Sequence, residues 1–205
     1  MRENSESFIN AFKNGCLYAI SGRPGMGKTT VALFVANAFK NNGKKVLYIK
    51  TCCIQYGQND TVGCDFLYQP CICANEIENL VSIGKYEVII LDSFQELIKE
   101  SKTKNAMSLK RIAKKYNALI VVVSNISRKA DRRRNHKPKI SDMTAKLCGS
   151  LAMNCRAVIL LYRKRYYDEI EESDIIEASV ASGLFGKTRV FKLDFDKMIK
   201  RIYVK

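Results

Sequence analysis

Short apolar runs alternate along this chain with segments whose apolar residues recur every three or four positions. Cys16-Leu-Tyr-Ala-Ile20 reads as a buried strand that runs straight into a glycine-rich segment. From Lys28 the period becomes helical, with Val31, Phe34/Val35 and Ala38/Phe39 on one face and Asn41-Asn-Gly43 as the stop. Lys45 to Ile49 and Tyr86 to Leu91 are two further strands, the second ending at Asp92. Ala74 to about Ile83 is weakly helical, and the stretch from Cys52 to about Gln69 has no regular period. Leu109, Ile112, Ala113 and Tyr116 mark a helix that precedes the strand Ala118 to Val123. Leu151 through Tyr162 holds a strand centred on Val158 to Leu161. The tail predicts extended segments at Ile175 to Ala181 and Thr188 to Phe195, a turn with Gly183 and Gly186 between them, and a last strand at Ile202-Tyr-Val204. This order predicts an α/β protein: a mostly parallel central sheet, helices on both faces and a C-terminal antiparallel edge.

Composition narrows the class. The 205 residues suit a single domain, 1–205, with 1–14 as a short N-terminal extension, and an apolar share of 47% supplies a full core. No apolar run reaches the ~18 residues needed to cross a bilayer. The N-terminus lacks a hydrophobic signal region, so a cytoplasmic protein without membrane attachment is expected. The formal charge of +15 favours an anionic partner, with nucleic acid first; a generally lysine-rich surface is the other reading. Five of the eight cysteines, Cys52, Cys53, Cys64, Cys71 and Cys73, fall close together. Their spacing is not that of paired C-x-x-C knuckles, which leaves buried or incidental thiols as the leading reading and a metal site as the second.

Gly22-Arg-Pro-Gly-Met-Gly-Lys-Thr29, followed by Thr30, matches G-x-x-x-x-G-K-[ST] with a strand before it and a helix after it. The glycines let the backbone wrap phosphates with its amides pointing inward, and the helix adds its positive end. In this cradle (Gly22, Arg23, Pro24, Gly25, Met26, Gly27, Lys28, Thr29 and Thr30) ATP or a close relative is expected. Lys28 faces the β- and γ-phosphates and the Thr29 hydroxyl is a Mg²⁺ ligand. Asp92, ending a run of apolar residues, suits the same Mg²⁺; a strand-end aspartate is also a common helix cap.

The chain resembles the RecA-like motor domain of DnaB-type replicative helicases. The resemblance runs from about Gly15 and rests on motifs in a common order. Gly22 to Thr30 resembles the family's phosphate loop, and Ile89-Ile-Leu-Asp-Ser-Phe-Gln95 its Walker B strand. Ser108 to Asn117 resembles its next helix, and Val121-Val-Val-Ser-Asn-Ile-Ser-Arg128 its sensor strand. Lys137 to Asp142, Gly149-Ser150 and Val158 to Arg163 match the loop, helix and strand that follow. The resemblance implies a RecA-like P-loop fold, ATP at the subunit interfaces of a ring, and single-stranded DNA on loops lining the channel. It also places Asn125 at the γ-phosphate sensor, so Lys28, Asp92 and Asn125 are the expected catalytic set.

Three family features are not found. An N-terminal domain and linker helix are expected to be missing, because about 15 residues precede the first strand. The catalytic glutamate's position falls near Thr51-Cys52, with no acidic residue between Glu6 and Asp60. The K-x-R finger maps onto Ser179-Val-Ala181, while Lys187-Thr-Arg189 has the spelling but follows the turn. Without the carboxylate the attacking water is poorly oriented, and such fingers contribute ~10³–10⁵ in rate.

Arg128 to Lys139 holds seven Lys/Arg against one Asp and lies where the resemblance puts a channel loop. Arg128, Lys129, Arg132, Arg133, Arg134, Lys137 and Lys139 are the expected contacts to DNA phosphates; a solvated loop without a ligand is the alternative. Two functions from different classes follow. One is an ATP-binding DnaB-like protein acting on single-stranded DNA in replication or recombination, with weak hydrolysis and a homo-oligomeric form. The other is a non-hydrolysing accessory protein: a helicase loader, decoy or regulator with a replicative helicase as partner. A small-molecule kinase is a distant third.

Overall fold

Strand β1, Leu17–Gly22, is buried along all six residues, as a strand covered on both faces must be. It lies inside one eight-stranded sheet in the computed structural model, which describes residues 2–51, 63–98, 101–144, 148, 150–168, 170–171, 174–181 and 188–203. The other strands are β2 (Val46–Lys50), β3 (Asp65–Tyr68), β4 (Val88–Asp92), β5 (Leu119–Asn125), β6 (Ala157–Arg163), β7 (Ile175–Ala181) and β8 (Thr188–Asp194). Their spatial order is β3-β2-β4-β5-β1-β6-β7-β8. Neighbours from β3 to β6 pair in parallel, whereas β6–β7 and β7–β8 are antiparallel. The expected fold class is therefore the observed one.

Alternation along the strands divides the core into two layers. Val88 and Ile90 of β4 face one layer with α1 (Arg2–Ile9), α2 (Lys28–Asn41) and α6 (Phe195–Tyr203). Ile89 and Leu91 face the other with α3 (Ala74–Gly84), α4 (Lys102–Lys115) and α5 (Leu151–Asn154). Among the described residues no helix is long and apolar enough to cross a membrane. The register brings Gly22 beside Asn125 and Lys50 beside Asp92, so the carboxyl ends of the parallel strands open on one edge, where ligands of such sheets bind.

Several elements differ from the sequence expectations. Residues 202 and 203 close helix α6 rather than form a strand; position 204 lies outside the described residues. Phe195, Met198, Ile199 and Ile202 have helical spacing, and Asp194 Oδ1 accepts the Lys197 amide at 3.0 Å, the bond of an N-cap. The segment after Cys52, expected to be irregular, contains β3, a four-residue edge strand whose Phe66 stacks on Tyr48 at 5.9 Å. Leu151–Asn154 is a helical turn ahead of β6, which holds the expected strand centre Val158 to Leu161. The N-terminal extension forms α1, with Phe8 fully buried against Phe191 at 5.5 Å between centroids.

Candidate nucleotide and nucleic-acid site

The turn from β1 into α2 brings the phosphate-loop residues together. Gly25 and Gly27 have φ of +81° and +77°, a left-handed conformation that side chains strain. Close neighbours add to the demand. A Cβ on Gly25 would lie 2.3 Å from the Tyr166 ring, and one on Gly27 would lie 2.7 Å from Ile176 Cδ1 and 3.2 Å from Phe195 Cε2. Helix α2 starts at Lys28 with Gly27 as its N-cap and no side-chain cap, which leaves its first amides for a ligand. Met26 is buried beneath the loop, and Pro24 and Gly25 are exposed above it. Thr30 follows in the first turn, half-buried.

Lys28 lies within this turn, its Nζ donating to the Arg23 carbonyl at 3.0 Å. Burial lowers its pKa to about 8, against the opposing pull of the Asp92 carboxylate. The Thr29 hydroxyl donates to Asp92 Oδ2 at 2.9 Å, and the Tyr48 hydroxyl donates to the same oxygen at 3.1 Å. Asp92 is 7% exposed. Thr29 and Asp92 thus present hard oxygen donors side by side, the donor chemistry that Mg²⁺ takes. With Mg²⁺ bound there, the ion would neutralise phosphate charge, and Thr29 and Asp92 would hold it.

Lys50, at the end of β2, is a buried cation that the sequence reading did not single out. It is register-paired with Asp92, and as i+2 from Tyr48 it shares the strand face whose hydroxyl reaches that carboxylate. Its signal in the sequence was a charge directly after the apolar run Val46 to Ile49. Beyond it, the Thr51 hydroxyl accepts the Ser93 amide at 2.7 Å and donates to the Ser93 carbonyl at 3.0 Å. That hydroxyl locks β2 to β4. Cys52, the other position near the family's glutamate, and Asp60 lie outside the described residues.

Asn125 ends β5, half-buried next to Gly22 across the β1–β5 pairing. Its carbonyl accepts the Cys148 thiol at 3.3 Å. Cys148 also lies 3.2 Å from Ser124 Oγ, which accepts Gln95 Nε2 at 2.9 Å. The segment after β4, the end of β5 and position 148 are thereby joined behind Asn125, a link with no signature in the sequence. Cys64, Cys71 and Cys73 are free thiols, and no group of three or more His, Cys, Asp or Glu gathers as a metal site among the described residues. Cys53 lies outside them.

Most of the basic segment is exposed, and two of its basic residues are paired with carboxylates. Arg128, Lys129, Arg132, Arg134, Lys137 and Lys139 stand exposed. Arg133, one of the expected DNA contacts, is held by a buried carboxylate. Its guanidinium closes as a fork on Asp142 at 2.7 and 2.6 Å, and it also donates to the Lys137 carbonyl at 3.0 Å. Asp142 is fully buried; burial would raise its pKa, but the Arg133 fork and the Lys139 amide hold it below the usual carboxylate range. Lys137 pairs with Glu177 on β7 at 2.6 Å and lies over the Tyr162 ring at 5.4 Å. Of the finger positions, Ser179, Val180 and Ala181 lie within β7, paired with β8. Lys187 lies outside the described residues, and Arg189 is exposed on β8.

A family model described as the DnaB-like helicase C-terminal domain matches residues 73–203. The replicative DNA helicase DnaC of Bacillus subtilis (strain 168) is 33% identical over 90 residues, covering 43% of this chain and 19% of that protein. A probable replicative DNA helicase of Trieres chinensis is 32% identical over 93 residues, covering 43% and 20%. The chain therefore spans about a fifth of the length of the curated relatives it matches. Among solved structures, one ATPase domain superposes with a TM-score of 0.82 at 19% identity, over 95% of this chain and 88% of that one. A DnaB-like replicative helicase, solved in a study of its interactions with primase, gives 0.78 at 20% identity over 89% and 55%. At such identities the superpositions establish the fold, which is that of a RecA-like ATPase domain.

Proposed function

The chain belongs to the DnaB-like helicase C-terminal domain family, and from that premise we propose that it is an ATP-binding protein acting on single-stranded DNA in replication or recombination. In this reading residues 1–205 form one nucleotide-binding domain that works in the cytoplasm and assembles with further copies of itself. ATP lies in the cradle Gly22 to Thr30, with Mg²⁺ between Thr29 and Asp92 and Asn125 facing the γ-phosphate. The observation that carries the reading is the Thr29–Asp92 contact of 2.9 Å beside a loop that already holds Lys28. Arg128, Lys129, Arg132, Arg134 and Lys139 meet DNA phosphates, while Arg133 shapes the loop from within and Lys137 braces it against β7.

The end of β2 favours weak hydrolysis. Among the described residues it offers Lys50 and a Thr51 hydroxyl engaged with Ser93, neither of which is a base for the attacking water. The same observation supports the second reading, an accessory protein that binds nucleotide and a replicative helicase without turnover. ATP turnover measured with and without single-stranded DNA, alongside the mass of the assembly, separates the two. DNA-stimulated turnover by an oligomer supports the first reading. Nucleotide binding without turnover supports the second, and a protein that binds no nucleotide overturns both.

A further inference from the structure

Asp131 is the one acidic residue of the segment 128–139, and all of its acceptors are engaged. Its Oδ2 accepts Arg23 Nε at 2.9 Å, and its Oδ1 accepts the Tyr167 hydroxyl at 2.9 Å. Its backbone carbonyl lies 3.0 Å from His136 Nδ1, and the His136 ring lies flat on Tyr167 with centroids 4.3 Å apart. Three segments distant in sequence meet on this residue: the phosphate loop, the basic segment and the turn after β6. The side chains are partly shielded, Arg23 being 19% and Asp131 35% exposed.

Arg23 is placed to register what the phosphate loop holds. Its carbonyl accepts Lys28 Nζ at 3.0 Å and the Met26 amide at 3.3 Å, while its guanidinium also donates to the Ile126 carbonyl at 3.3 Å. A phosphate entering the loop draws Lys28 to itself and so removes a partner from the Arg23 carbonyl. Its charge also competes with the Asp131 carboxylate for the same guanidinium. Both effects change the contact that Asp131 makes, and Asp131 organises the fold of the basic segment through Tyr167 and His136.

We propose that Asp131 is a positioning residue that carries phosphate occupancy from Arg23 to the basic segment, so that nucleotide and single-stranded nucleic acid alter each other's affinity. The inference rests on the ATP- and DNA-binding reading above. Such coupling is reciprocal, the factor by which one ligand changes the other's affinity being the same in both directions.

The test uses the full chain, a fluorescent oligothymidylate and a non-hydrolysable ATP analogue with Mg²⁺. In the wild type, saturating analogue changes oligonucleotide affinity by about fivefold or more. Asp131→Asn brings that ratio close to one, Asp131→Glu retains it, and Tyr167→Phe, which leaves the Arg23 pair in place, reduces it. A second measurement needs no DNA: the rate of tryptic cleavage after Arg132 and Arg134 depends on the analogue in the wild type and not in Asp131→Asn. A variant Asp131→Asn with the wild-type ratio and wild-type dependence of cleavage overturns the inference. So does a wild-type protein that binds both ligands with a ratio of one, which leaves the function reading standing. A wild type that binds neither ligand fails that reading itself.

Discussion

The Thr29 hydroxyl donates to Asp92 Oδ2 at 2.9 Å, joining the first turn of α2 to the last residue of β4. Tyr48 donates to the same oxygen at 3.1 Å, so two protons converge on the carboxylate that the proposed Mg²⁺ would approach. Thr29 would offer such an ion a lone pair and Asp92 negative charge. Mg²⁺ is expected to strengthen ATP binding in the wild type and to have little effect in Asp92→Asn. Titration with ATP in the presence of Mg²⁺ or of EDTA measures this, and a full Mg²⁺ response in the variant would remove Asp92 from the metal site.

Lys28 is expected to make nucleotide affinity depend on pH. Its proton leaves at about 8 in the folded protein, against an ordinary value of 10.5, with burial the main cause. Phosphate binds the protonated form, so affinity for ATP falls as pH rises through that value, by about tenfold for each unit above it. Stability moves the opposite way. Between the two values the unfolded chain holds the extra proton, so unfolding free energy rises with pH across that window. Lys28→Ala abolishes ATP binding at every pH; unchanged affinity in that variant would sink the assignment.

Neighbouring arginines of the basic segment are expected to behave differently. Arg133 neutralises the fully buried Asp142, and Arg133→Ala strands that charge, at a cost of about 3 kcal/mol in thermal or urea unfolding. Arg132 and Arg134 are exposed, and changing both to Ala leaves unfolding within about 0.5 kcal/mol. The pair Arg132→Ala, Arg134→Ala instead weakens single-stranded DNA binding and lowers its salt slope. If affinity and slope stay at wild-type values, the exposed residues are not the DNA contact.

Acid exposes the same pair. Asp142 is held below its ordinary pKa, so its contribution is complete above that ordinary value and is lost as pH falls through the lower folded one. Arg133→Ala is therefore expected to flatten the acid limb of the stability profile. An acid limb identical to wild type would mean that the pair makes no pH-dependent contribution.

Gly27 joins backbone conformation to packing. At φ +77° any side chain costs about 1–2 kcal/mol, and a Cβ would press on Ile176 at 2.7 Å. Gly27→Ala is expected to lower stability and ATP affinity together, read by unfolding and titration on one sample. Wild-type affinity in a destabilised variant would show that the cradle tolerates the change.

Much of the fold could be read from the chain because buried parallel strands leave a simple trace. Leu119 to Val123 and Val88 to Leu91 are unbroken apolar runs, since helices cover both faces of each strand. The turn between β1 and α2 was equally plain, because glycines at positions of positive φ are a local requirement. Failures came where local signals were short. Four residues of edge strand, Asp65–Tyr68, carry too little pattern to stand out, and α6 follows β8 so directly that its cap, Asp194, reads as the strand's last residue.

By itself the sequence determined the main strands and helices of the sheet, the position of the glycine-rich turn between β1 and α2, and the charge of the segment after β5. Those depend on residues adjacent in the chain. The tertiary structure decided what the isolated charges do. Arg133 and Arg134 are neighbours in sequence, yet one is closed on a buried carboxylate and the other is exposed. Lys50 lies beside Asp92, and Arg23 reaches Asp131 across the sheet's carboxyl edge. A charge acts through what lies within a few ångströms of it, and for these residues those neighbours come from strands and loops far away in the chain.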